Sequence, residues 1–201
     1  MIISIALETP RLQLRQWRTE DQAAFAALNA DPQVMQHFPA LLSRAQSDGL
    51  AQRLAEDIDE HGWGFWALEA PGVASFIGFV GIRPTSAGLP FAPAVEIGWR
   101  LARPFWGRGY AGEAAQAALR AGFELLALEE IVAFTVPANL RSQAVMARLG
   151  MRCGPEYFDH PALPEGHPMR RHILYRLSNS QWSAARPGLS GSVAQDSAKT
   201  A

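Results

Sequence analysis

Pro104-Phe-Trp-Gly-Arg-Gly-Tyr-Ala-Gly-Glu-Ala-Ala115 is a glycine-rich turn that runs directly into a helix. Gly107 and Gly109 can take positive φ and let a ligand approach the backbone. The N–H groups that follow lack intrahelical acceptors, and the helix dipole adds partial positive charge there. A helix start of this kind binds phosphate. Which molecule carries the phosphate must be read from the flanking sequence.

Upstream of the turn, residues 94–101 alternate and read as a strand. Val95, Ile97, Trp99 and Leu101 share one face, while Glu96, Gly98 and Arg100 share the other. Downstream, a helix is expected over 110–126 and a buried strand over 131–136. Asn139 caps a helix that runs to Arg148, and Gly150 stops it. Toward the N-terminus, residues 12–17 form a strand. Thr19-Glu-Asp-Gln22 has the capping-box spacing and opens a helix that ends at Asp31-Pro32. Ser43-Arg-Ala-Gln46 is a second capping box, for a helix to about His61. Residues 65–69 and 76–83 form a hairpin, and residues 152–158 and 172–177 are the last strands. The order predicts a mixed α/β (α+β) fold with helices on the faces of a sheet. One domain is expected over 1–182, and a disordered tail over 183–201.

Composition narrows the classes. The 201 residues are 48% hydrophobic and 18% charged, which are globular values. The formal net charge of −1 gives no overall field for nucleic acid or an anionic membrane. Cys153 is the only cysteine, so no internal disulfide forms and a reducing compartment is expected. Met1-Ile-Ile-Ser-Ile-Ala6 lacks a basic leader, and no apolar run reaches bilayer length, so a cytoplasmic location is expected.

Residues 107–112 also match G-x-G-x-x-G, the dinucleotide fingerprint. That reading fails on spacing. Residues 102–106 separate the motif from its strand, and no acid follows the next strand, which ends Thr135-Val136-Pro137.

Four segments in order resemble the GNAT acetyltransferases, in the branch that acetylates ribosomal-protein N-termini (Rim-type). They are Thr9-Pro-Arg-Leu-Gln-Leu-Arg15, Glu96-Ile-Gly-Trp99, the turn itself, and Asn139-Leu-Arg-Ser142 with Leu149-Gly-Met151. The resemblance covers about residues 7–182. It implies a mostly antiparallel sheet of six to seven strands flanked by helices on both faces. It implies acetyl-CoA as co-substrate, with its pyrophosphate held by Trp106, Gly107, Arg108, Gly109, Tyr110 and Ala111, and with Trp99, Asn139 and Ser142 as further contacts. Trp106 stands where the family pattern has Gln or Arg. Arg103 and Arg108 are candidate phosphate partners. The implied reaction is direct acetyl transfer, in a ternary complex, to a primary amine: a protein N-terminus or a small molecule. The protein is expected as a monomer or homodimer. A non-catalytic acyl-CoA-binding module of the same fold is the alternative.

The chemistry needs a proton acceptor, an oxyanion donor and a proton donor. Glu96 is the candidate base; alternatively it pairs with Arg100 or a neighbouring strand. The position that carries a tyrosine acid in many relatives is Met146, which leaves Ser142 as the candidate donor. Asn139 and Ser142 also have a local reading, as N-cap and first-turn residue. The loop at 158–172 holds His160, His167 and His172, but their spacing matches no zinc pattern, so no metal is expected. Glu56, Asp57, Asp59 and Glu60 read as a solvated helix face.

Overall fold

The computed structural model describes residues 5–185. Its centre is an eight-stranded sheet in the order β1-β2-β3-β4-β5-β6-β8-β7. The strands are β1 (Leu7–Glu8), β2 (Gln13–Arg15), β3 (Phe65–Ala70), β4 (Ala74–Pro84), β5 (Val95–Leu101), β6 (Glu130–Thr135), β7 (Arg152–Asp159) and β8 (Arg171–Ser178). The helices are α1 (Asp21–Ala30), α2 (Arg44–His61), α3 (Tyr110–Arg120), α4 (Leu140–Arg148) and α5 (Asn179–Ala184). The mostly antiparallel sheet agrees with the expectation. It exceeds the expected strand count through β1, whose two residues are too short to leave a periodic signal.

Two apolar layers hold the helices to the sheet. On one face Phe25 and Leu28 of α1 and Ala51 and Leu54 of α2 pack on Phe65, Ala67, Phe76 and Phe79. On the other, Ala114, Ala115, Ala118 and Leu119 of α3 pack on Leu68, Val80, Ile82 and Ile97. The small residues of α3 let the helix sit close to the strands. A π-helical turn, Ala121–Leu125, continues α3.

Helix boundaries follow their caps, with one exception. The Ser43 side chain accepts from the Gln46 N–H and the Gln46 side chain closes the box. The box expected at Thr19–Gln22 does not form: Glu20 is the N-cap and its side chain caps nothing. The competitor is Arg15. Its Nη1 and Nη2 donate to the two Asp21 oxygens at 2.8 and 2.9 Å. Its Nε donates to Glu69 at 2.7 Å, and Asp21 accepts the Arg18 N–H at 2.8 Å. A second departure is α5, capped by Ser178 and Gln181. It carries helix past the expected tail boundary at Ser183. The rest of that expected tail, from 186, lies outside the described residues.

Among the described residues the only parallel neighbours are β5 and β6, which pair at a single position, Glu96 with Val132. By contrast β5 pairs with β4 at seven positions, from Gly78–Leu101 to Pro84–Val95. Beyond Glu96 the two parallel strands therefore part. α3 belongs to the connection between them and packs on β4 and β5, and the gap opens the sheet at its centre.

Candidate active site

The gap between β5 and β6 is a cleft of ≈ 400 Å³. Glu96, Gly98, Trp99 and Arg100 line it from β5, with Phe134 and Thr135 from β6. Asn139, Ser142 and Met146 close the α4 side, and His160 and His172 close the far wall. Of the expected site residues, Glu96, Trp99, Asn139 and Ser142 thus share one cavity. Trp106 and residues 107–111 do not line it. They lie at the start of α3, where Gly107, Arg108 and Gly109 are exposed. Arg141 joins the two groups. It sits on α4 between Asn139 and Ser142, and its guanidinium lies 4.7 Å from the Trp106 ring centroid.

The turn is built as a cradle. Gly107 has φ 74° and Gly109 has φ 80°, and Gly109 is the α3 N-cap with no side chain closing the helix start. The first N–H groups of α3 are therefore left for an external acceptor. A Cβ placed at Gly107 or Gly112 meets nothing within 4 Å, and one at Gly109 meets only Arg11 Nη2 at 3.5 Å. Open space above three glycines, uncapped donors and a helix dipole fit a pyrophosphate. Trp106 serves the turn structurally: its indole N–H donates to the Leu101 carbonyl at 2.8 Å and fixes the turn to the end of β5. Tyr110 is buried, with the Arg11 guanidinium 4.9 Å from its ring centroid. Arg103 and Arg108 are both exposed.

An unexpected brace holds the turn in place. Thr9 Oγ1 and the Arg11 N–H donate to Glu113 Oε1 at 2.6 and 3.1 Å. Arg11 Nε donates to Glu113 Oε2 at 2.7 Å, and its Nη1 to the Arg108 carbonyl at 3.0 Å. The segment Thr9–Arg11 thus ties down both the turn and the first turn of α3.

Glu96 is buried, and its partner is Arg83 across the β4–β5 ladder, at 2.7 Å. The two are directly opposite in register. Arg100 is not its partner. Burial pushes the Glu96 carboxyl above the usual carboxylate range, and Arg83 opposes that push. Asn139 Oδ1 accepts the Ser142 N–H at 3.2 Å, and Asn139 Nδ2 donates to Thr135 Oγ1 and Ser142 Oγ at 3.0 and 3.1 Å. With its oxygen accepting from Asn139, Ser142 keeps its hydroxyl proton to donate. Met146 is buried beside it.

The histidines come together across β7 and β8. His160 and His172 have ring centroids 5.1 Å apart. His172 Nδ1 lies 3.0 Å from the Arg170 carbonyl and must carry its proton there. His160 Nδ1 accepts the Ala162 N–H at 3.2 Å. Burial holds both rings below the usual imidazole value. Among the described residues no group of three or more His, Cys, Asp or Glu side chains is placed to hold a metal. Phe65 and Phe79, from the aromatic set around the hairpin, line the cleft, whereas Trp66 is core. Tyr175 is also core, its hydroxyl donating to Gln143 at 3.3 Å. Sequence reasoning missed Arg83, Arg100, Phe134 and the His160–His172 contact. Only Arg100 carried a signal, its place on the Glu96 face of β5.

A parted parallel pair lies beside an uncapped glycine turn that fits a phosphate-bearing ligand. The model of the acetyltransferase (GNAT) domain matches residues 11–152, and the chain belongs to that family. It is an acetyl-CoA-dependent acyltransferase. A Bacillus subtilis protein, YkkB, is 33% identical over 146 residues, 72% of this chain and 84% of the relative. The FsC-acetyl coenzyme A-N(2)-transacetylase of Aspergillus fumigatus is 29% identical over 189 residues, 88% of this chain and 77% of the relative. Among solved structures, a GNAT-family acetyltransferase from Bacillus anthracis superposes with a TM-score of 0.73 at 24% identity, covering 88% of this chain and 99% of that one. A ribosomal-protein-S5-alanine acetyltransferase from Vibrio fischeri gives 0.68 at 22%, covering 89% and 99%. These two likenesses establish the fold. Among the described residues no helix is long and apolar enough to cross a membrane.

Proposed function

We propose that the protein transfers the acetyl group of acetyl-CoA directly to a primary amine within a ternary complex. The observation that carries this reading is the cleft where β5 and β6 part, with a buried carboxylate at its closed end. When bound, acetyl-CoA supplies the acyl group as an activated thioester. The N–H groups of Gly107, Gly109, Tyr110 and Ala111 hold its pyrophosphate, and Arg108 adds charge at the rim. Trp99, Asn139 and Ser142 border the path from that turn into the cleft.

Glu96 accepts the proton of the incoming ammonium. A free amine is the nucleophile, so this step sets the pH dependence. Its raised carboxyl pKa makes Glu96 a stronger base, and Arg83 keeps it ionised. In a strand, alternate N–H groups point to opposite neighbours. Those of β5 beyond Glu96 that face away from β4 meet no β6 ladder, and they can donate to the acyl oxygen as charge builds on it. Ser142 donates a proton to the departing sulfur.

The test is a mass-shift assay of purified protein with acetyl-CoA and a library of peptides and small amines. Glu96→Gln should lower kcat roughly 100-fold or more, with Ser142→Ala lowering it less. Tight acetyl-CoA binding without acetylation of any amine would instead establish an acyl-CoA-binding module.

A further inference from the structure

The cleft contains a cation that the protein does not neutralise. Arg100 lines the cleft and also a second cavity, of ≈ 520 Å³, formed with α2 and the segment before it. The first cavity is lined by one carboxylate, Glu96, and that is held by Arg83; the second is lined by none. Among the described residues Arg100 has no ion pair. Its Nη1 donates to the neutral Asn29 Oδ1 at 2.6 Å, and its Nε is buried with no partner. Among the described residues its Nη2 donates to no acceptor, and unlike Nε it is not fully buried. The rings of Phe38 and Phe79 flank the guanidinium, at 4.0 and 5.4 Å from their centroids. Burial pushes its pKa down to about 10.

A guanidinium desolvated without a counter-charge is costly, and two aromatic faces offset only part of that cost. The same wall disfavours a plain ammonium, because a positive cleft repels a cation. Both difficulties vanish if the ligand brings the anion. The donor's pyrophosphate does not supply it. None of residues 103–113 lines either cavity, whereas Arg100 lines both and contacts Asn29 of α1 and Phe38. Gly98 sits between Glu96 and Arg100 on one face of β5, and the Phe65 ring lies over it, 2.8 Å from where a Cβ would stand, as an apolar floor between the two charged groups.

We infer that the acceptor is an amine that also carries an anionic group, a carboxylate or phosphate, with the amine at Glu96 and the anion at Arg100. This rests on the acetyl transfer proposed above. It sets the substrate class toward small zwitterionic amines and away from amines that carry no anionic group.

The experiment measures kcat/KM for matched amine pairs that differ only in the anionic group, beginning with ε-aminocaproate against n-hexylamine and including the corresponding phosphates. The wild-type protein should favour the anionic partner roughly 10- to 100-fold, the effect of one or two charge-assisted hydrogen bonds. Arg100→Met should collapse that ratio toward one, and Arg100→Lys should keep part of it. Equal or better use of the partners without the anionic group by the wild-type protein overturns the inference while acetyl transfer stands. An equal loss of acetyl-CoA affinity in Arg100→Met also overturns it, because the anion would then belong to the donor. Acetyl-CoA binding with turnover of no pair overturns both the inference and the reading beneath it. The wild-type ratio decides even if the variants fold poorly.

Discussion

Replacing Gly109 with valine separates the turn's two roles. The residue has φ 80°, and a Cβ there meets only Arg11 Nη2 at 3.5 Å. The protein itself therefore leaves room for the side chain. The cost to folding is the positive φ, about 1–3 kcal/mol for a β-branched residue. Against a typical stability of about 5–15 kcal/mol the variant stays folded, with Tm lowered by roughly 2–12 °C. Binding is hit much harder. The valine methyls enter the space where the phosphates meet the α3 N–H groups, and losing two charge-assisted bonds costs about 3–6 kcal/mol. Calorimetry should show acetyl-CoA affinity falling at least ~100-fold. Gly72 supplies the control. It has φ 75° and nothing within 4 Å of a built Cβ, but it lies in the β3–β4 turn. Gly72→Val should cost the same in Tm and leave acetyl-CoA affinity intact. Near-normal affinity in Gly109→Val, or equal losses in the two variants, would refute the assignment of the turn as the pyrophosphate site.

Glu113→Ala removes the acceptor for Thr9 and Arg11, so acetyl-CoA KM should rise roughly 3- to 10-fold, about 1 kcal/mol of lost pre-organisation, with little change in Tm. Arg15→Ala leaves Asp21 and Glu69 without their shared cation and should destabilise by about 3–5 kcal/mol in urea titration; Arg15→Lys should recover little, since one ammonium cannot reproduce the fork. Burial holds His160 and His172 below the ordinary value of 6.5, so they favour folding above that pH and lose this as pH falls through their folded values. The urea midpoint should drop on the acid side of 6.5, and a His160→Gln/His172→Gln double variant should flatten the drop.

The sequence displayed what is local. The glycine turn, the Ser43 box, the Asn139 cap and the two faces of β5 each rest on residues within about one turn or one strand of each other, and all four recur in the structure. What stayed hidden depends on register across long connections. The Thr19 box lost to Arg15, whose partners Asp21, Glu69 and the Ser75 carbonyl come from three separate segments. His160 meets His172 because Phe158 lies opposite His172 across the β7–β8 ladder, a register no periodicity encodes. The partner of Glu96 is the clearest case. Arg100 shares its face, and the sequence offers that pair first. Four residues along a strand span about 13 Å, whereas a residue directly across an antiparallel ladder lies about 5 Å away. Arg83 therefore takes the carboxylate. Once it does, Arg100 is left a guanidinium that pairs with no acid among the described residues, and the acceptor preference inferred above follows from the same register that gives Glu96 its partner.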